Sequence, residues 1–362
     1  MVHVLFEYPQ LNCGGTEMVM YNLARFMNKN EFKIDLLVQR VGNNEEQFKE
    51  LGCEIHLINF ENKSHYVASL ISFFSTHKYD VVHTHTHSLM STVLKCAKIA
   101  GVPVRVAHSH VARIDVPRIL WPLQIFRSWE LESNANLFFS CSKIAAQWLF
   151  PRHVKDNHII YNAIDLDHFK FNEEHRKSKR EELGVGESTK VVINVSRCAE
   201  GKNHHFILNR AKALSNEDML FVCIGEGPLF AELQKRIVDE QITNVRMLGK
   251  RFDVSEWLCA ADVFIFPSIY EGLGIVAVEA QAAGLRVLAT DTIPLEADMQ
   301  MGSYERISLN NPNRWDQLLM DSAYSDEERN ILSIKAFSSH YNIKIMVKEV
   351  EKLYSKELKM ML

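Results

Sequence analysis

Two glutamates, Glu271 and Glu279, flank the glycine turn Gly272-Leu273-Gly274. An apolar run from Asp262 to Phe266 stops at Pro267, so the turn follows a strand, and a helical pattern then runs from Ile275 to a capping Gly284. A strand, a glycine turn and a new helix N-terminus make an anion site. The first backbone N–H groups of a helix lack partners, and its dipole favours a phosphate. Carboxylates on either side of such a cradle suit a ligand with hydroxyls at both ends, which a sugar nucleotide offers. The same residues also fit a plain tight turn with one surface glutamate and one capping glutamate.

Other clusters could serve the same ligand. Arg197 and Lys202, with Gly201 between them, end a strand pattern at Val191–Val195 and can converge on a diphosphate. Arginine brings a planar fork and lysine a point charge; the alternative is a solvated basic loop. Gly14-Gly15-Thr16-Glu17 follows the first strand pattern and lacks the Gly-x-Gly-x-x-Gly dinucleotide spacing. Thr16 can cap the helix that follows, and adjacent glycines let the backbone approach a ligand; a plain helix start reads the same way. His83, His85 and His87 alternate at one strand end, and His108 and His110 at the next. Period-two spacing puts each set on one face. Imidazoles from neighbouring strands can supply three zinc ligands, but no carboxylate or cysteine joins them at ligand spacing, and no metal is expected.

The Glu-x7-Glu spacing around Gly-Leu-Gly, with the Val-Glu-Ala and small-residue helix after it, resembles the donor site of retaining GT-B glycosyltransferases. More narrowly it resembles family 4, the group 1 type that assembles bacterial polysaccharides and glycolipids. Arg197-x4-Lys202-Asn203, the Gly-Gly-x-Glu loop, Asn162-Ala163-Ile164-Asp165, Gly225-Glu226-Gly227-Pro228 and Leu248-Gly249-Lys250-Arg251 match further family motifs in order over most of residues 2 to 300. Alanine at 163 replaces the family's glycine, and past Glu296 the match fades.

The resemblance implies a nucleotide-sugar donor, UDP-linked, as substrate, with no further cofactor and no divalent metal. It implies that Glu271 holds sugar hydroxyls, Glu279 the ribose, and Gly272, Leu273 and Gly274 the phosphate through their amides. Arg197 and Lys202 would neutralise the leaving phosphate, with Gly14 and Gly15 facing the donor and Arg251 in the loop against the base. The family keeps one histidine facing the sugar, and this chain offers His108 and His110, with His110 favoured by alignment. Two rival readings remain: a GT-B sugar-nucleotide 2-epimerase, and a non-catalytic sugar-nucleotide-binding partner. The first needs an additional acid/base pair that this chain does not clearly offer, and the second usually loses one of the charged residues present here.

These residues need strand ends to stand on. The chain alternates short β-branched runs with helical patterns twice over, which predicts an α/β protein with two doubly wound, Rossmann-like domains facing a central cleft. The expected boundaries are 1–165 for the acceptor side and 166–342 for the nucleotide-sugar side. Asp165 to Ser188 has no apolar period and reads as a linker. Residues 343–362 carry an apolar stripe, and in GT-B proteins such a last helix returns to the first domain.

A length of 362 residues suffices for two cores, and a formal charge of −4 gives no case for nucleic acid as a partner. Seven scattered cysteines without Cys-x-x-Cys, a start that reads directly as strand, and no bilayer-length apolar run predict a cytoplasmic protein. Residues 111–129 interleave Arg113, Arg118 and Arg127 with bulky apolar side chains, a composition for peripheral contact with an anionic membrane and a saccharide or lipid-linked acceptor. A core helix with solvent-facing arginines would read alike, and two prolines argue against one uninterrupted helix.

Overall fold

The computed structural model describes every residue except 13–14, 86–88, 111–120, 322 and 362. Gly14, His87, Arg113 and Arg118 therefore lie outside the described residues. The chain forms two compact units, Met1–Ala163 together with Ile343–Leu362, and Ile164–Asn342.

Among the described residues the first unit has seven parallel strands: β1 (Val2–Tyr8), β2 (Phe32–Val38), β3 (Ile55–Leu57), β4 (Val81–Thr84), β5 (Val104–Ser109), β6 (Leu137–Ser140) and β7 (His158–Ile159). Their order is β3-β2-β1-β4-β5-β6-β7. Unbroken apolar runs such as Val4-Leu5-Phe6 and Leu36-Leu37-Val38 are buried throughout, as a parallel sheet covered on both faces requires. Alternate residues serve opposite faces. Val4, Phe6 and Val106 join one core with the C-terminal helix (Ile343–Met361), while Leu5, Leu37 and Val82 join another with Tyr66 and Leu70.

The second unit has six parallel strands: β8 (Lys190–Val195), β9 (Met219–Ile224), β10 (Val245–Gly249), β11 (Val263–Phe266), β12 (Arg286–Thr290) and β13 (Tyr304–Ile307). They run β10-β9-β8-β11-β12-β13. In each sheet the order reverses beside the first strand, at β1/β4 and at β8/β11. Ligands of open α/β sheets bind beyond the strand C-termini at such a point.

The stretch read as a linker is helical. Asn172 caps a helix at Glu173–Leu183, accepting from the His175 N–H at 2.9 Å, and Gly184 ends it in the left-handed region. It lacks an apolar period because its buried side chains are Arg176 and Arg180. They reach Asp262 at 2.7 and 3.2 Å and donate to the carbonyls of Ala260 and Ala261. Arg329, wholly buried, donates to the carbonyls of Leu258, Cys259, Ala261 and Ala283 at 2.8–3.0 Å. Three guanidinium groups thus satisfy the orphan carbonyls that end the helix Val254–Ala260, where the dipole also favours positive charge.

Candidate functional site

In the second unit the turn after β11 is shaped by a close approach. Gly274 has φ 84°, and a Cβ there would lie 2.7 Å from the Phe266 ring. The helix Ile275–Ala282 begins immediately, and among the described residues no side chain caps its first amides. Leu273 is buried, so its backbone rather than its side chain is available to a ligand, whereas Gly272 is exposed.

Glu271 sits in this turn and meets Lys202 with Nζ–Oε1 at 2.5 Å. The two loops are joined by the backbone as well. The Ile269 N–H donates to the Gly201 carbonyl at 2.8 Å, and the Tyr270 ring lies where a Cβ on Gly201 would be, 2.9 Å away. Gly201 is therefore a packing requirement of the charge pair. Arg197, at the end of β8, is exposed and has no side-chain hydrogen bond among the described residues. Its neighbour Cys198 is buried, exchanging backbone hydrogen bonds with Glu226 and Leu229, which fixes the Gly225–Pro228 turn against the loop.

Glu279 is partly buried on the helix after the turn, and burial pushes its carboxyl up to about 7. It has no side-chain hydrogen bond among the described residues, which leaves an acceptor pair open to hydroxyls. Arg251 has other company: its guanidinium lies over Trp257 and 3.9 Å from Glu182.

In the first unit the helix Gly15–Phe26 follows β1. Thr16 is inside that helix and so is not its N-cap. Glu17 is buried and accepts from the Asn12 N–H at 3.4 Å.

The ends of β4 and β5 bring His83, His85, His108 and His110 together. The rings of His83 and His85 stack at 4.1 Å, and those of His108 and His110 approach to 4.0 Å. Across the strands, His83 Nε2 lies 3.1 Å from His108 Nδ1, and His85 Nδ1 lies 2.8 Å from His110 Nε2. Burial, aided for the first three by neighbouring imidazoles, holds all four below the ordinary histidine value, with His110 at about 3. His83, His85 and His108 each place a nitrogen within 4.8 Å of the others, a spacing a cation could use. Both nitrogens of His83 are already engaged, one by His108 and the other by Tyr354 Oη at 2.5 Å.

Tyr354 escaped the sequence reading because it sits in the apolar stripe of the C-terminal helix. The available signal was a hydroxyl where phenylalanine or leucine would have packed as well. His204, buried with its Nε2 3.4 Å from Ser196 Oγ and held near 4 by burial, also went unread; a histidine opening a helix carries no distinguishing signal.

The sequence matches the family models "Glycosyltransferase Family 4" over residues 13–168 and "Glycosyl transferases group 1" over residues 175–319. With EpsF of Bacillus subtilis (strain 168), named as a glycosyltransferase, it is 31% identical over 327 residues, which cover 85% of this chain and 84% of the other. With the UDP-Gal:alpha-D-GlcNAc-diphosphoundecaprenol alpha-1,3-galactosyltransferase of Escherichia coli it is 28% identical over 235 residues, 62% of this chain and 60% of the other. Among solved structures, Anabaena HepE in complex with UDP and glucose superposes with a TM-score of 0.79 at 17% identity, covering 98% of this chain and 100% of that one. The fold is GT-B. The chain belongs to the group 1, family 4 glycosyltransferases.

Proposed function

We propose that the protein is a retaining glycosyltransferase that moves a sugar from a UDP-linked donor to a saccharide or lipid-linked acceptor in polysaccharide assembly. The observation that carries this reading is the charge arrangement at the strand ends of the second unit. Lys202 is held on Glu271 at 2.5 Å, Arg197 stands exposed on the same loop, and an uncapped helix start follows the turn. The UDP and glucose held by HepE support the donor, and the undecaprenol-linked substrate in the name of the E. coli relative supports the acceptor.

In the reaction, the bond from the anomeric carbon to the phosphate oxygen breaks while the acceptor oxygen bonds to the same face of that carbon. The acceptor's proton passes to the departing phosphate oxygen, so no protein nucleophile is required. Glu271 accepts from the sugar hydroxyls and Glu279 from the ribose. The amides of Gly272 to Gly274, with Arg197 and Lys202, stabilise the diphosphate as its charge grows, a fixed array that does the work of a metal ion. Gly14 and Gly15 give backbone to the donor, Arg251 belongs to the loop for the base, and His108 and His110 meet the sugar.

A panel of sugar nucleotides, assayed for donor hydrolysis with and without saccharide acceptors, tests the reading. Slow hydrolysis of one UDP-sugar is expected, and Arg197→Ala and Lys202→Ala should each lower it about a hundredfold. An epimerised sugar, binding without turnover, or near-normal turnover in both variants would overturn it.

A further inference from the structure

Tyr354 is wholly buried on the C-terminal helix, and among the described residues its hydroxyl has one hydrogen-bond partner, His83 Nδ1 at 2.5 Å. The phenol therefore donates to that nitrogen, because the opposite order would strand a buried O–H. Burial keeps His83 and His108 well below the ordinary histidine value, so each ring is neutral and carries one proton. With Nδ1 of His83 accepting, its proton is on Nε2, which lies 3.1 Å from His108 Nδ1 and donates to it. His108 must then hold its own proton on Nε2. That atom is buried and has no hydrogen-bond partner among the described residues. His85 and His110 form a separate pair at 2.8 Å, and among the described residues their rings share no hydrogen bond with Tyr354, His83 or His108.

We infer that Tyr354 is a positioning residue: acting through His83, it holds His108 in the Nε2–H tautomer, so that His108 offers a hydrogen-bond donor to an oxygen of the substrate, a hydroxyl or a phosphoryl oxygen. The assignment of that oxygen to the substrate rests on the proposed sugar contact of His108. The proton order itself rests on the two hydrogen bonds and on both rings being neutral, not on that contact. It also separates this cluster from a metal site, since a cation at His108 Nε2 needs a lone pair there, and the Tyr354–His83 order denies it one.

Protein labelled with 15N in its histidine rings reports the tautomer directly, with the His108 signals assigned by their loss in His108→Gln. In the wild type at pH 7.5, His108 is expected to show a protonated Nε2 and a bare Nδ1. In Tyr354→Phe, which keeps the ring packed on Phe139, His83 can take either order and His108 is expected to become a mixture of tautomers. A protonated Nδ1 at His108 in the wild type overturns the inference, as does an unchanged His108 in Tyr354→Phe. Should that variant fail to fold, the wild-type spectrum decides alone. Stoichiometric zinc is expected to leave the Nε2–H signal in place, and its loss would overturn the donor role in favour of a metal ligand. Turnover is expected to fall in His108→Gln. Wild-type turnover in that variant would remove His108 from the sugar site while leaving the proton order standing.

Discussion

Glu279 carries a carboxyl that burial pushes up to about 7 from an ordinary 4.5, without any hydrogen-bonding partner among the described residues to offset the cost. A carboxyl raised in the folded state binds its proton more tightly there than in the unfolded chain. Between those two values stability therefore falls as pH rises, and above about 7 the folded protein holds an unfavourable buried charge. Replacing Glu279 with Gln removes that charge and should raise stability at pH 8 by about 1–2 kcal/mol, with little effect at pH 4.5. Thermal melts of the two proteins at both pH values check this, and an equal shift at both would refute the burial argument. The same substitution should weaken donor binding, because an amide offers one acceptor oxygen where the proposed contact with two ribose hydroxyls asks for two. A residue that costs stability in the empty protein and repays it in the complex is a frequent property of binding sites.

At the scale of the element, the helix Val254–Ala260 is held by arginines from two later and earlier parts of the chain. Of the three arginines, Arg329 has no carboxylate partner within hydrogen-bond distance among the described residues and places its guanidinium on four backbone carbonyls, with the Phe171 ring 4.0 Å from its centre. Arg329→Met fills much of the volume but leaves those carbonyls unsatisfied, so a loss of about 3 kcal/mol or more is expected in chemical denaturation. A loss below about 1 kcal/mol would show that water replaces the guanidinium. The helix Trp121–Asn134 poses a different question. Pro122 falls in its first turn, where the missing N–H breaks no helical bond, so the proline does not interrupt it. The helix buries Ser128, Leu131 and Glu132 and exposes Phe126 (62%), Trp129 (49%) and Arg127. Arg152 stacks over Trp129 and pairs with Glu132 at 2.5 Å, which holds the tryptophan ring outward. An exposed aromatic pair beside a cation supports the proposed contact with an anionic membrane. Co-sedimentation with anionic liposomes should be strong at low salt, weaken as salt is added, and fall in Phe126→Ser/Trp129→Ser and in Arg127→Gln. Wild-type protein that stays in the supernatant at low salt would end that proposal. Among the described residues, no helix is long and apolar enough to cross a membrane.

For the molecule as a whole, two sheets of one strand order each bring loops to a switch point, and the proposed chemistry uses fixed protein charges there. Turnover is therefore expected to survive a strong chelator, and elemental analysis should find no stoichiometric metal. One tightly held metal per chain, lost together with activity, would return the histidine cluster to a metal role. The C-terminal helix ties the far end of the chain into the first unit's core through Ile343, Met346, Val347, Val350 and Tyr354. Its Glu351 also accepts from the Asn28 N–H at 2.7 Å. The hydroxyl of Tyr354 makes this helix a participant in the histidine network as well as a cover for the sheet.

The sequence by itself determined the alternation of strand and helix, because parallel strands covered on both faces must read as unbroken apolar runs. It also determined the turn from Glu271 to Gly274, because only glycine tolerates the left-handed conformation and the nearby Phe266 ring. The periodicity of His83, His85, His108 and His110 placed each pair on one face for the same kind of local reason. It did not reveal the helix Glu173–Leu183, whose buried face is written in arginine and acquires partners only when Asp262 and the carbonyls of 259–261 arrive from far along the chain. β13 and the helices Pro312–Met320 and Asp326–Ala336 lay beyond the motifs and were read only from the fold. The pairing of Lys202 with Glu271, separated by 69 residues, and of His83 with Tyr354, separated by 271, belongs to tertiary structure alone. Local sequence records what one segment prefers, whereas a proton's position or a buried charge's partner depends on which distant segment comes to rest against it.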